Sequence, residues 1–298
     1  MLARSLRIAA LLNIAFAIFW FAFFWARHPC AAVIGSLAAL MFFAPLLGIL
    51  FVAVFSANRS DPAPPAQVAQ SIRAWLTEVI SVARVFFWRQ AFSSTQMPDS
   101  ADAKVASSGL PGVVFIHGFI CNCGVWSDWL VQMARQRRAY VAVNLEPVLG
   151  SIDAYVAVIE RAVNVVAAVS GQPPILICHS MGGLAARAWL RAKPQNSQRV
   201  RHIVTIGTPH HGTWLGKFAV SKNGRQMRIG SQWLKQLQQD EVPDAAKLFT
   251  CFYSNCDEIV FPASTAMLAG ADNRLIAGVP HLALAFHPDV MNASLALF

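Results

Sequence analysis

The stretch that most constrains the fold is Ile175–Arg187, which reads ILICHSMGGLAAR. Its first four residues, Ile175–Cys178, are apolar and predict a buried strand, whereas Leu184–Leu190 is rich in helix-forming residues. Ser180 lies between the two among small residues, which is typical of a serine on a tight turn from a strand to a helix. Cys178 stands where such turns usually carry a glycine. Ser180 is therefore the candidate nucleophile, and a plain loop serine is the alternative.

From Val113 onwards, predicted strands alternate with predicted helices. The strands are Val113–Ile116, Tyr140–Asn144, Ile175–Cys178, Arg201–Ile206, Lys247–Tyr253 and Arg274–Ile276, with helices at Trp126–Gln136 and Asp153–Val169. This alternation favours an α/β domain at 112–298 with a mostly parallel sheet and helices on both faces. The segment at about 212–247 is too long for a simple connection, so we expect a cap over the active site; a surface helix with a long loop is the alternative.

Two long uncharged stretches occupy the N-terminus, Ile8–Ala26 and Cys30–Ala57. Each could cross a hydrocarbon core of about 30 Å, so we expect a transmembrane hairpin over residues 1–57, with spans at about 8–26 and 31–55. A cleaved signal peptide and a buried core helix are the alternatives. Basic residues flank the hairpin and only Arg27 lies inside it, which predicts that the N-terminus and the α/β domain are both cytoplasmic.

Residues 58–111 are expected to connect the hairpin to the domain. Asn58–Gln67 is a proline-rich linker, and Ser93–Gly112 is a second, polar one. Between them, Val68–Phe92 has apolar residues at helical spacing, which indicates a helix packed on the domain or one lying in the membrane interface. After the first sixty residues the chain carries twenty basic and fifteen acidic residues, a modest excess that suits contact with anionic lipid. Since the chain has no basic run or binding motif, no nucleic-acid partner is expected.

The six cysteines do not have the spacing of a disulfide framework. A bridge between Cys251 and Cys256 is allowed but not required. The one candidate zinc set consists of Cys121, Cys123, His210 and His211. It lacks the C-x-x-C spacing of zinc sites, so we expect no metal there.

A serine nucleophile needs a base within hydrogen-bond reach, and a carboxylate to orient that base. On turns of this kind, both partners follow the serine in the chain. Asp257 comes just after the strand that ends at Tyr253, and His281 comes after the last short strand and a turn. We therefore predict Asp257 as the acid and His281 as the base. The competing residues are Glu258, Asp240, Asp244 and Asp272 for the acid and His287 for the base.

Two fixed backbone amides should bind the oxyanion that forms during acyl transfer. We predict the amide of Met181, directly after the nucleophile, and that of Phe119, which Gly118 makes accessible. His179 is expected to be a scaffold residue, because its side chain diverges from that of Ser180 on the turn.

Five segments together carry a family resemblance: VFIHGF, ICHSMGGL, VTIGTPHHGT, SNCDEIVFP and GVPH. They resemble the bacterial triacylglycerol lipase and esterase families of the α/β-hydrolase superfamily, and most nearly the membrane-attached, lipase-like members of proteobacteria. The resemblance covers Gly112–Phe298 and no part of the hairpin. It implies an α/β-hydrolase fold, the same triad of Ser180, Asp257 and His281, and a bacterial inner-membrane location. A pair of calcium-binding aspartates found in some of these lipases has no counterpart here, so no metal is expected.

The sequence thus predicts a membrane-anchored serine hydrolase of lipid or acyl esters that needs no cofactor and has membrane lipids as partners. A thioesterase, an amidase or a polyester depolymerase would use the same groups. The alternative from another class is a transport or scaffold protein with a degenerate hydrolase domain.

Overall fold

A six-stranded parallel sheet forms the centre of the C-terminal domain in the computed structural model, which describes residues 2–94, 99 and 109–297. The strands are β1 (Val113–Ile116), β2 (Tyr140–Val143), β3 (Ile175–His179), β4 (His202–Ile206), β5 (Phe249–Tyr253) and β6 (Asp272–Leu275). Their order is β2-β1-β3-β4-β5-β6, and all neighbours are parallel. The predicted fold class is confirmed, and the strand ends differ from the predicted ones by about two residues at most.

Helices cover both faces of this sheet and form the N-terminal region. Those of the domain are α5 (Ser127–Arg135), α6 (Val156–Ser170), α7 (Met181–Ala192), α8 (Lys222–Gln226), α9 (Gln232–Gln239), α10 (His281–Leu284) and α11 (Pro288–Leu295). Those before it are α1 (Leu2–Trp25), α2 (Pro29–Leu40), α3 (Phe43–Ala57) and α4 (Val68–Val82), which continues in wider π-helical turns over Ala83–Ser93.

The strands are apolar on both sides because each face of the sheet carries its own core. Val114 and Ile116 of β1 belong to the core that includes residues of α6 and α7. Val113 and Phe115, which alternate with them, belong to the opposite core, with residues of α5, α10 and α11. Alternate residues of the strands therefore contribute to the two cores on opposite faces of the sheet.

The second apolar segment is two helices, not the single span that its composition predicts. The chain leaves the helical path at Met41–Phe42, so α2 has 12 residues and α3 has 15. Pro45 explains the break, since a proline ring excludes the carbonyl of the residue four positions earlier, here Met41. With a length of about 18 Å, α2 is too short to cross a bilayer core alone. Leu2–Trp25 and Phe43–Ser60 are the helices long and apolar enough to do so.

Polar contacts fix α3 and α4 to the domain. The Asn58 side chain, just after α3, donates to the Asn255 carbonyl at 2.9 Å and accepts from the Ala263 amide at 3.0 Å. Trp75 of α4 donates through Nε1 to the Ala44 carbonyl of α3 at 2.8 Å. The two helices therefore form a pair that lies on the loop after β5.

One face of α4 packs on the domain, and the other is apolar and open. The buried inner face includes Ala74, Glu78 and Val79. The outer face carries four side chains at intervals of four residues, each more than half exposed: Val68, Ile72, Leu76 and Ile80. The helix predicted within Val68–Phe92 therefore packs on the domain through one face, and the placement of its apolar outer face in the membrane interface stays a prediction. Most of the predicted linker at 93–112 lies outside the described residues.

Candidate active site

Ser180 lies on a strained turn between β3 and α7. Its φ of 54° and ψ of −129° belong to a region that residues with a side chain rarely adopt. Helix α7 approaches closely because two glycines follow: a Cβ on Gly182 would lie 2.3 Å from the Ile116 carbonyl oxygen, and one on Gly183 would lie 2.3 Å from Thr208 Oγ1. Cys178, in place of the usual glycine, is buried in the core below the turn.

The loop after β5 and the start of α10 bring Asp257 and His281 together. His281 Nδ1 and Asp257 Oδ2 are 2.8 Å apart, and both residues are buried. The other oxygen of this carboxylate, Oδ1, accepts from the amides of Ile259 at 3.0 Å and Val260 at 2.7 Å. Because both oxygens have partners, the carboxylate is fixed, and it holds the proton of His281 on Nδ1.

Ser180 and His281 line one cavity of about 310 Å³. The loop after β1 closes on the nucleophile, since a Cβ on Gly118 would lie 2.8 Å from Ser180 Cβ. Phe119 follows in that loop and also lines the cavity, while Met181 is the first residue of α7. Phe119 and Met181, the two residues predicted to supply the oxyanion amides, thus both lie near Ser180.

The two histidines at the site have opposite electrostatic environments. Burial alone would lower the pKa of His281, but the Asp257 carboxylate outweighs it and raises the pKa above its usual range. Burial and then the neighbouring His281 lower the pKa of His179 well below its usual range, so that ring is neutral. His179 Nε2 lies 3.3 Å from the His281 carbonyl oxygen, and the ring centroids are 4.6 Å apart. His179 therefore packs beneath the base as a neutral ring.

The competing residues lie elsewhere. Glu258 contacts the backbone amide of His281 rather than its ring, at 3.2 Å. His287 accepts from the Asp289 amide at the start of α11. The weaker candidates for the acid are each placed near an arginine or lysine: Asp240, Asp244 and Asp272.

The cysteines are free thiols, including Cys251 and Cys256. Cys121 is buried beside the cavity, and this burial raises the pKa of its thiol to about 12. Within the described part of the chain, no three His, Cys, Asp or Glu side chains are grouped so that they could hold a metal ion.

The walls of the cavity come from an unexpected part of the chain. Leu47 of α3 and Glu78, Val82 and Phe86 of α4 and its continuation line it. Among the described lining residues, none belongs to 212–247, the segment that the sequence predicts as a cap. That segment instead packs elsewhere on the domain, for example through α9 against the core around α7. The sequence contains one indication that Glu78 has a specific role: it is the only acidic residue between Asp61 and Asp99.

Comparison with known proteins agrees with this architecture. The sequence matches the Alpha/beta hydrolase family over residues 113–293, more than half of the chain. The chain belongs to the alpha/beta hydrolase family. A comparison with curated proteins found no match. A lipase of Bacillus licheniformis in its mature form has a TM-score of 0.54 at 18% identity, over 67% of this chain and 92% of the lipase.

A second solved structure, lipase B of Aspergillus fumigatus, has a TM-score of 0.58 at 18% identity, over 98% of this chain and 79% of that one. At such identities the likeness shows the fold.

A substitution at Gly207, directly after β4, would test how tightly the Asp257–His281 pair is packed. The φ of this glycine is 56°, and an added Cβ would lie 2.9 Å from Asp257 Oδ2 and 3.1 Å from His281 Nδ1. We expect Gly207→Ala to displace the pair and lower kcat by about 10²-fold. Steady-state kinetics with a short-chain ester measures this.

Gly171→Ala is the matched control, because Gly171 has a similar φ of 67° with nothing within 4 Å of the added Cβ. Both variants should lose about 1 kcal/mol of stability from the left-handed backbone. Only Gly207→Ala should lose activity, and equal kcat values in the two variants would contradict the packing argument.

Proposed function

We propose that the protein is a membrane-associated serine hydrolase that cleaves carboxylic esters of lipids. The observation that carries this proposal is the arrangement of one apolar cavity, in which a serine on a strained turn lies with a buried His281–Asp257 pair. An activated serine of this kind performs acyl transfer.

In the proposed reaction, Ser180 Oγ attacks the ester carbonyl while His281 Nε2 takes the hydroxyl proton. Asp257 keeps the other proton of the imidazole on Nδ1, so that Nε2 is free to accept. The amides of Phe119 and Met181 donate to the oxyanion. The C–O bond to the alcohol then breaks, and the alcohol leaves with the proton from His281. Water then attacks the carbonyl of the acyl-enzyme while His281 takes its proton. The bond to Ser180 Oγ breaks, Ser180 regains the proton from His281, and the carboxylic acid is released.

The lipid nature of the substrate is supported by the cavity walls. Apolar side chains from the domain and from the N-terminal helices surround the space next to Ser180, among them Leu47, Val82, Phe86 and Ile259. Such a lining removes an acyl chain from water, which contributes about 0.8 kcal/mol for each buried CH₂. A substrate with a long acyl chain therefore gains binding energy here that a small polar ester does not.

Leu47→Trp should shift the chain-length preference. The larger side chain would fill part of the cavity, so we expect kcat/KM for long-chain esters to fall about tenfold or more while that for acetyl esters changes little. A panel of 4-nitrophenyl esters and matched thioesters of increasing chain length measures this. The panel also separates an esterase from a thioesterase.

Leu46→Trp is the matched control, since Leu46 is the adjacent leucine on the same helix and is 59% exposed. It should leave the profile unchanged. If both variants lost long-chain activity equally, or neither did, the acyl chain would not occupy this cavity.

We propose that α1 crosses the membrane and that α2, together with the turns at 26–28 and 41–42, forms the return of the hairpin, with the domain on the cytoplasmic side of a bacterial inner membrane. Arg7 Nε, near the start of α1, donates to the Ala91 carbonyl at 3.1 Å, and Phe43 stacks on Phe87 at 5.5 Å. Both ends of the hairpin are therefore next to the domain, and its tip at Arg27 is the far end. The distance along α1 from Arg7 to Trp25 is about 27 Å, close to the thickness of a bilayer core.

Cys30 lies just after the tip, is exposed and is free. A membrane-impermeant maleimide should label it from the outer face of the membrane and not from the cytoplasmic face. Cys30→Ser provides the control. Labelling from the cytoplasmic face alone would contradict a hairpin that crosses the bilayer.

A further inference from the structure

Two glutamates from distant parts of the chain meet beside the Asp257–His281 pair. Glu78 lies on α4, and Glu258 lies in the loop after β5; each is 1% exposed. Their side chains are within hydrogen-bond reach of each other, and both line the active-site cavity. In the proposed reaction neither carboxyl group moves a proton, so this contact requires another explanation.

The two carboxyl groups hold three consecutive backbone amides at the start of α10. Glu258 Oε2 accepts from the His281 amide at 3.2 Å. Glu78 Oε1 accepts from the Leu282 amide at 2.8 Å, and its Oε2 lies 3.3 Å from the Ala283 amide. Helix α10 has only four residues, and its first intrahelical bond runs from the Leu284 amide to the Pro280 carbonyl at 2.9 Å. The three amides before it have no partner within the helix and would otherwise be unpaired.

Two carboxyl groups form a hydrogen bond only when they share a proton, because two adjacent carboxylates repel each other. Burial and then the Glu258 charge raise the pKa of the Glu78 carboxyl well above its usual range. Burial and then the neighbouring Asp257 raise the pKa of Glu258 to about 7. The pair thus keeps one proton at neutral pH. The other titratable groups facing it are Asp257 and Cys256 of the same loop, and His281 of α10.

We propose that Glu78 and Glu258 are positioning residues: a buried carboxyl pair that shares one proton, holds the backbone of His281 and connects the catalytic base to the N-terminal helices through α4. The inference rests on the proposed function, since it needs His281 to act as the base. Through this pair, the position of His281 depends on how α3 and α4 are seated on the domain.

The raised pKa values of the two carboxyl groups make the position of His281 depend on pH. A raised carboxyl pKa means that the shared proton is present at neutral pH and is lost as the pH rises through the final ionisation of the pair. Above that point two carboxylates repel each other next to Asp257, and the start of α10 is displaced. We therefore expect wild-type kcat to fall in the alkaline range, with little change in KM.

The experiment compares Glu78→Gln, Glu78→Ala and Glu258→Gln by fluorophosphonate labelling rates and by kcat and KM of a short-chain ester across pH. In Glu78→Gln, the amide oxygen still accepts from Leu282 and its NH₂ group donates to Glu258 without any shared proton, and only the longer bond from the Ala283 amide is lost. This variant should keep neutral activity within about threefold and lose the alkaline decline. Glu78→Ala should lower kcat and the labelling rate by about 10²-fold with KM nearly unchanged. Thr77→Ala, adjacent and exposed on the same helix, is the control and should match wild type.

The outcomes separate the two proposals. If wild type is not labelled at Ser180, the proposed function fails. If wild type is labelled but Glu78→Ala reacts at the same rate, the positioning role alone is overturned. If Glu78→Gln and Glu258→Gln both keep the alkaline decline of wild type, the shared proton is overturned. Should Glu78→Ala fail to fold, these two glutamine variants decide the matter.

Discussion

Replacing Ser180 by alanine is expected to lower kcat for ester hydrolysis by about 10⁶-fold, the cost of removing the nucleophile in a well-studied serine hydrolase. The remaining rate would come from the oxyanion amides and from substrate binding. The fold should persist, because Ser180 contributes no side-chain cap to α7 and alanine meets the same backbone strain at φ 54°. Activity and thermal unfolding of the detergent-solubilised protein measure both effects.

Labelling with a fluorophosphonate probe gives an independent measurement. Wild type should be labelled and Ser180→Ala should not. Ser197→Ala is the matched control: its hydroxyl bonds to the Pro194 carbonyl in a surface turn, and it should behave like wild type. Half of the wild-type rate retained in a clean preparation of Ser180→Ala would remove Ser180 as the nucleophile.

The second large effect is expected from Asp257→Asn, at about 10⁴-fold in kcat. The reason lies in the fixed carboxylate. The asparagine oxygen would stay with the amides of Ile259 and Val260, which can only donate. Its NH₂ group would then face His281 Nδ1 and force that nitrogen to accept. The ring proton would move to Nε2, which could no longer take the proton of Ser180.

The loss of the Asp257 charge also changes the pH profile. That charge raises the pKa of His281 in the wild type, and the base works only when neutral. Activity should therefore fall with decreasing pH at a lower pH in Asp257→Asn than in wild type. Asp289→Asn is the control, since Asp289 lies 3.8 Å from His287 Nδ1 on the surface. A drop in kcat of less than tenfold for Asp257→Asn would contradict its role in setting the tautomer.

The sheet was predictable from sequence because its determinants are local. Each inner strand is a short apolar run bounded by turn residues. Because these strands are buried on both faces, their residues are mainly apolar rather than alternating between apolar and polar. The turn at Ser180 was predictable for a related reason. Small residues such as Gly182 and Gly183 next to a serine indicate that a helix approaches the strands closely at that point. The contact between Asp257 and His281 follows from the chain order of such sites together with the carboxyl ends of parallel strands.

The N-terminal region was less predictable, because its structure depends on contacts far apart in the chain. Composition alone describes Cys30–Ala57 as one span, and only the clash of Pro45 with a carbonyl breaks it. The apolar residues of α3 and α4 carry no mark that tells a lipid-facing side chain from one that lines a cavity. Glu78 meets Leu282 across 204 positions, a pairing that no periodicity can reveal.

The outer face of α4 has a consequence for how the rate would depend on concentration. If the proposed membrane association places Val68, Ile72, Leu76 and Ile80 against a bilayer, a lipid substrate would reach the protein by diffusing sideways among the lipids and would not have to pass through water. The relevant concentration is then the mole fraction of substrate among the surrounding lipids. Adding inert lipid at constant total substrate would slow turnover by dilution in two dimensions, although the bulk concentrations of enzyme and substrate would stay the same.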